Sequence, residues 1–113
     1  EALPISYFIE RSQEMLGATT QILLPFGTKK IQSVGILTGS GSMAIAEASE
    51  LGLDLLVTGE PKQSAYHEAR EHKLNVLFAG HYATETFGVR AVGAWLESKF
   101  SLKITFIDEP TGI

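Results

Sequence analysis

One rhythm constrains this chain more than any other feature. From Ile31 onward, a short apolar run, a glycine-bearing turn and a helical stretch follow one another three times. Residues 31–37 lead through Thr38-Gly39-Ser40-Gly41-Ser42 into an alanine-rich helix that runs to about Leu51 and stops at Gly52. Residues 54–58 lead through Gly59-Glu60-Pro61 into a helix ending near Lys73. Residues 75–79 lead through Gly80-His81 into a long helix over about 84–99, and a last apolar run, 102–107, precedes the tail 108–113. Short apolar strands alternating with helices predict βαβ crossovers. The expected fold class is therefore α/β, with a largely parallel sheet of about five strands and helices packed on it. Phe87, Ala91, Ala94, Trp95 and Phe100 are expected to seat the long helix on that sheet.

The first thirty residues read differently. Residues 4–16 predict a helix, with Pro4 suited to its first turn, Ile5, Phe8, Ile9 and Leu16 near one face, and Gly17 as its stop. Residues 20–24 predict a strand ending at Pro25, which favours a sheet edge. Phe26–Lys30 reads as a turn, so this strand is expected to pair antiparallel with 31–37.

Composition removes several classes of function. The 113 residues fit a single domain, 1–113, with 44% hydrophobic and 19% charged residues. No cysteine is present, which excludes disulfides, thiolate metal sites, iron–sulfur clusters and a cysteine nucleophile. A net charge of -4 with no basic run gives no electrostatic footprint for nucleic acid. No apolar run approaches the roughly 18 residues of a membrane span. Glu1-Ala2-Leu3-Pro4 does not look like a signal peptide, and the chain does not begin with Met. A portion of a longer cytoplasmic polypeptide is the expectation.

In a parallel sheet, ligands bind at the carboxyl ends of the strands. The loops expected there are Gly39–Ser42, Gly59–Pro61, Gly80–Glu85 and Asp108–Thr111. The third carries His81 and Glu85, four residues apart at a helix start, so that both side chains fall on one face. Imidazole with carboxylate suits a divalent cation such as Zn, Mn, Fe or Ni. The same pair also fits a carboxylate favoured in a first helical turn beside a partly buried histidine. A full site needs three or four protein donors. Glu60, Asp108 and Glu109 lie on the correct edge, whereas His67 and His72 read most simply as a helix-face residue and a residue suited to a helix C-terminus. Gly39-Ser40-Gly41-Ser42-Met43-Ala44 matches a G-x-G-x-x-A turn, with Glu60 as an acid about 20 residues on, in the manner of a dinucleotide fingerprint. It equally fits a small-residue loop that lets strand and helix pack closely, or one that contacts a phosphate. No G-x-S-x-G nucleophile motif is present.

The run Thr58-Gly59-Glu60-Pro61, then His67-Glu68-Ala69-Arg70-Glu71, Ala79-Gly80-His81-Tyr82-Ala83-Thr84-Glu85, Gly88-Val89-Arg90-Ala91 and Thr105-Phe106-Ile107-Asp108 resembles the Nif-three-like family. Its members also carry the name GTP cyclohydrolase I type 2 homologs. The upstream Val34-Gly35-Ile36-Leu37-Thr38-Gly39-Ser40-Gly41 is similar to the family's second-half glycine loop. The likeness spans residues 4–110 and concerns the C-terminal half alone. It implies one half of a two-half fold, with two metal ions where the halves meet. By resemblance, His81 and Glu85 are metal ligands, and the missing N-terminal half supplies an adjacent histidine pair and an aspartate. Where many relatives have a second histidine pair this chain has Gln63-Ser64. The family also implies a homohexameric ring.

Two functions follow as expectations. One is a two-metal hydrolase acting on a nucleotide or similar small molecule, with Glu60 as an orienting group or general base and Gly39, Ser40, Gly41 and Ser42 holding a phosphate. The alternative is a non-catalytic, metal-stabilised ring that docks partners or regulates them. The chain alone is expected to be inactive.

Overall fold

The computed structural model describes residues 1–17 and 21–113. Its elements run β1 (Leu3–Pro4), α1 (Ile5–Leu16), β2 (Ile22–Pro25), β3 (Lys30–Ile31), β4 (Val34–Leu37), a 3-10 turn (Gly41–Ala44), α2 (Ile45–Glu50), β5 (Leu55–Thr58), α3 (Gln63–Glu71), β6 (Asn75–Phe78) and α4 (His81–Phe100). The main sheet has four strands in the order β2-β6-β5-β4. β4, β5 and β6 are parallel, and β2 adds antiparallel to β6 as an edge. The fold is mixed α/β.

Alternation along the central strands builds a core on both faces. Leu56, Val76 and Phe78 point to one side, where Ile45 and Ala48 of α2 and Ala65 and Ala69 of α3 bury against them. Leu55 and Leu77 point to the other, where Ile31, Ile5, Phe8 and Ile9 cover them. α1 is thus laid on one face and the crossover helices on the other.

Four expectations are corrected. The strand read at 20–24 pairs with β6, not with 31–37; its first residue, Thr20, lies outside the described residues. The reason is Asn75, almost fully buried at the start of β6. Its Oδ1 accepts the Gly27 N–H at 2.9 Å, and its Nδ2 donates to Thr28 O at 2.8 Å and Asp54 O at 3.0 Å. These bonds carry the 26–30 turn past the amino ends of β6 and β5, so that the chain re-enters at the opposite edge. The run 31–37 is interrupted at Gln32–Ser33: β3 pairs antiparallel with β1 and only Val34–Leu37 enters the main sheet. The break is fixed by Asp54, whose Oδ2 accepts the N–H groups of Gln32 and Ser33 at 2.9 and 3.0 Å.

Residues 102–107 form no strand, so the sheet has four rather than five. Ser101 adopts a left-handed conformation at the end of α4 and turns the chain back along the helix. Ile104 then lies against Gly93, and the Arg90 guanidinium sits over the Phe106 ring at 4.1 Å. Finally, α4 is not seated on the sheet by its aromatic residues. Phe87, Trp95 and Phe100 are each about half exposed, and only Thr84 and Gly93 of the helix are buried. Among the described residues, no helix is long and apolar enough to cross a membrane.

Candidate metal-ligating site

The carboxyl ends of the parallel strands bring three of the four expected loops together. Ala79 N–H donates to Thr58 O at 2.8 Å and Gly80 N–H to Gly59 O at 3.0 Å, so the β5 and β6 ladders continue into their loops. The N–H groups of Gly59 and Glu60 both donate to Gly39 O at 3.0 Å, which fastens the β4 loop to the β5 loop. The packing there leaves no room for side chains. A Cβ at Gly59 would overlap the Gly39 carbonyl and lie 2.8 Å from His81 Cα. Gly80, at φ +98, then turns the chain out of β6 into α4, a conformation that favours glycine.

His81 is the first residue of α4 and stands between two carboxylates. Its Nδ1 lies 2.8 Å from Glu60 Oε2 and its Nε2 3.2 Å from Glu85 Oε1. The His81–Glu85 pair shares one helix face, and Glu60 arrives from the neighbouring loop. His81 and Glu60 are about one-third exposed and Glu85 is half exposed, so the Nε2–Glu85 side faces outward. The hydrogen bond to Glu60 raises the His81 pKa, with further attraction from Glu85, against an opposing push from desolvation. Glu60 is held below the ordinary glutamate value by the same bond and then by the Ser40 hydroxyl. The set favours an imidazolium wedged between two anions, or a neutral imidazole with Nδ1–H given to Glu60 and the Nε2 lone pair free for a cation.

Nε2 and a Glu85 oxygen face one another on an exposed edge, and a carboxylate on the opposite ring nitrogen is the arrangement that orients metal-binding histidines. The donors suit a divalent ion but number only two. Among the described residues, no group of three His, Cys, Asp or Glu side chains is arranged to hold a metal.

The Gly39–Ser42 loop lies against this pair. Gly39 has φ +69, and a Cβ there would come within 2.5 Å of Glu85 Oε1 and 3.1 Å of His81 Nε2. Its N–H donates to Thr84 Oγ1 at 3.2 Å, and the Gly41 N–H donates to Thr58 Oγ1 at 3.0 Å. Both glycine donors are engaged inside the protein, and a 3-10 turn, not an α-helix, follows the loop. Ser42 is buried with its hydroxyl on Glu60 O at 3.4 Å. The loop thus acts as the wall and brace of the site. Sequence reading overlooked Thr84, a buried hydroxyl whose only signal is its place inside the GHYATE run.

Asp108 comes to the neighbourhood by another route. It accepts the Tyr82 hydroxyl at 2.7 Å, and Glu109 N–H donates to the same hydroxyl at 2.8 Å. Tyr82 N–H in turn donates to Ile113 O at 3.0 Å. The tail so fastened walls an apolar cavity of about 410 Å³ with Pro61, Phe78 and Ala83. His67 and His72 are exposed on α3 and at its end, away from this constellation.

Comparison with known proteins gives a consistent picture. The family model for Duf34/NIF3 (NGG1p interacting factor 3) matches residues 1–112. A protein of Deinococcus radiodurans named GTP cyclohydrolase 1 type 2 homolog is 43% identical over 111 residues, covering 98% of this chain and 42% of its own length. Among solved structures, the protein ybgI, of unknown function, superposes with a TM-score of 0.92 at 33% identity, over 100% of this chain and 46% of that one. The protein TTHA1606 of Thermus thermophilus gives 0.89 at 38% identity, over 100% of this chain and 45% of that one. The chain therefore spans less than half the length of each of these relatives. With a family model matched across nearly every residue, this chain belongs to the Duf34/NIF3 family.

Proposed function

We propose that the chain supplies one half of a divalent-metal site in a protein that hydrolyses a nucleotide or similar small molecule. The single observation that carries this reading is the Glu60–His81–Glu85 row, in which one ring nitrogen is anchored and the other faces a carboxylate at an exposed edge. In this reading His81 donates through Nε2 and Glu85 through its carboxylate. Glu60 accepts Nδ1–H, fixes the tautomer and makes the ring a stronger donor. The 2.8 Å bond supports Glu60 as the group that orients the ring; service as a general base requires that bond to open. Divalent ions bound there supply Lewis acidity toward an electrophile and toward water. Ser40, beside Glu60, is the proposed contact for a phosphate oxygen, since the Gly39 and Gly41 N–H groups are already engaged.

The remaining donors are assigned to the other half of a longer cytoplasmic polypeptide. The relatives are more than twice the matched length. The surface left open also supports a covering partner: Val92, Trp95, Phe100 and Ile107 are each more than half exposed along α4 and the segment that follows it. Assembly into a homo-oligomeric ring, expected as a hexamer, uses the same kind of surface. The exposed surface of α4 and the interacting-factor name of the family model favour a second reading, a metal-stabilised docking module without catalysis.

The test is metal content and turnover of the full-length protein with His81→Ala. The expected result is loss of bound divalent metal together with loss of hydrolysis across a nucleotide panel. Metal content equal to wild type would remove His81 from the ligand set. Metal lost on substitution, with no turnover in the wild type, would support the docking reading.

A further inference from the structure

We propose that Thr84 and Gly39 form a latch that positions the Glu60–His81–Glu85 row, with Thr84 as a positioning residue for the site. This inference rests on the metal-site reading for its functional meaning but not for its geometry. Thr84 is 7% exposed, one of only four buried polar side chains among the described residues. Its hydroxyl donates to the His81 backbone carbonyl at 3.1 Å and accepts the Gly39 N–H at 3.2 Å. The Gly39 carbonyl then accepts the N–H groups of both Gly59 and Glu60 at 3.0 Å. One hydroxyl and one peptide unit thus connect the backbone that carries His81 to the backbone that carries Glu60. Glu85 follows Thr84 directly, so the latch holds both members of the outward-facing pair.

Two features make this more than ordinary packing. Gly39 reaches its partners only at φ +69, and the missing side chain is what leaves His81 Nε2 and Glu85 Oε1 uncovered, since a Cβ would fall 3.1 and 2.5 Å from them. The latch also ties α4 to a loop outside it, through the Gly39 N–H. The spacing of His81 and Glu85 puts them on one face, and the angle of that face to Glu60 is held by the β4 loop together with the direct bond from Gly80 N–H to Gly59 O. A hydroxyl at 84 is needed at both ends at once, as donor and as acceptor, which serine reproduces and valine does not.

The test compares Thr84→Val, which keeps shape, with Thr84→Ser, which keeps the hydroxyl, in the full-length protein. In metal-free samples, the ring nitrogen resonances of His81 are expected to shift in Thr84→Val as the Glu60 contact loosens, and to stay at wild-type positions in Thr84→Ser. With Co(II) as the probe, affinity is expected to fall roughly tenfold or more in Thr84→Val and to be retained in Thr84→Ser, the range for residues that orient a ligand. Unchanged His81 resonances in Thr84→Val, or failure of Thr84→Ser to restore them, would overturn the latch. Should Thr84→Val not fold, amide exchange on the wild type decides: the latch requires protected Gly39 and Glu60 amides, and exchange of Gly39 at the rate of an open loop contradicts it. Wild-type protein that takes up no Co(II) while the ring resonances behave as expected would remove the metal reading and support the latch.

Discussion

Gly59→Ala tests the geometry of the loop junction most severely. The added methyl would overlap the Gly39 carbonyl oxygen and approach His81 Cα to 2.8 Å, whereas real Cβ contacts stay beyond 3.0 Å. Neither neighbour is the flexible end of a side chain; both are backbone. The β4 loop must therefore move away from the β5 loop. That movement lengthens the two bonds from Gly59 N–H and Glu60 N–H to Gly39 O, both 3.0 Å now. Overpacking a tight site costs about 1–3 kcal/mol, and each hydrogen bond contributes about 0.5–1.5 kcal/mol net. The expected loss is roughly 2–6 kcal/mol, which for a protein of about twice this length lowers Tm by several degrees or more. The assay is urea unfolding of the full-length protein, read as a lower midpoint at unchanged slope, with Co(II) affinity measured alongside. Both should fall, because the residues displaced are the ones that carry Glu60 and His81. An unfolding free energy within about 0.5 kcal/mol of wild type, with metal affinity intact, would refute the reasoning.

Gly88 lies inside α4 with open space where a Cβ would go, so Gly88→Ala should raise stability by about 0.5–1 kcal/mol. Gly93 sits in the same helix, but there a Cβ would come within 2.9 Å of Ile104 Cγ2, so Gly93→Ala should loosen the 101–113 segment and increase its amide exchange. Asp54 is held below its usual pKa, chiefly by the Gln32 N–H, and a depressed carboxylate stabilises above its unfolded pKa and ceases to do so as pH falls through its folded one. Asp54→Asn should therefore be less stable than wild type at pH 7, with the difference closing below about pH 3.9; a gap that stays constant down to pH 2.5 would contradict this.

How much of this was legible in the sequence depends on whether the information was local. The strand–glycine–helix rhythm placed β4, β5, β6 and the three helices after them, because apolar periodicity and glycine stops act over a few residues. Pairing partners are set at longer range. The edge position of β2 could be read from Pro25, but its pairing with β6 depends on Asn75, an amide within an otherwise apolar run that reaches Gly27 and Thr28. Residues 102–107 alternate as a strand does, yet that pattern records only that one face is covered. Here the cover is α4, with Ile104 on Gly93 and Phe106 under Arg90. The periodicity of Trp95 and Phe100 likewise grouped them without saying what they face, and they contact each other at 5.7 Å in a half-exposed position.

The site divides in the same way. His81 and Glu85 were legible because a four-residue spacing on a helix is a local rule. Glu60 was placed on the correct edge by its loop, but its bond to Nδ1 and not to Nε2 comes from the adjacency of β5 and β6. Gly39 and Gly41 carried a pattern that also fits an anion cradle; the structure engages their donors with Thr84 and Thr58, two hydroxyls that no local pattern distinguishes.

Anomalous diffraction from crystals of the full-length protein, collected at the absorption edge of the metal it contains, tests the central claim most directly. The account predicts a cation peak within about 2.0–2.3 Å of His81 Nε2 and a Glu85 oxygen, with Glu60 still on Nδ1 and the other donors supplied from outside residues 1–113. A cation bound elsewhere, with His81 still hydrogen-bonded to both glutamates, would contradict it.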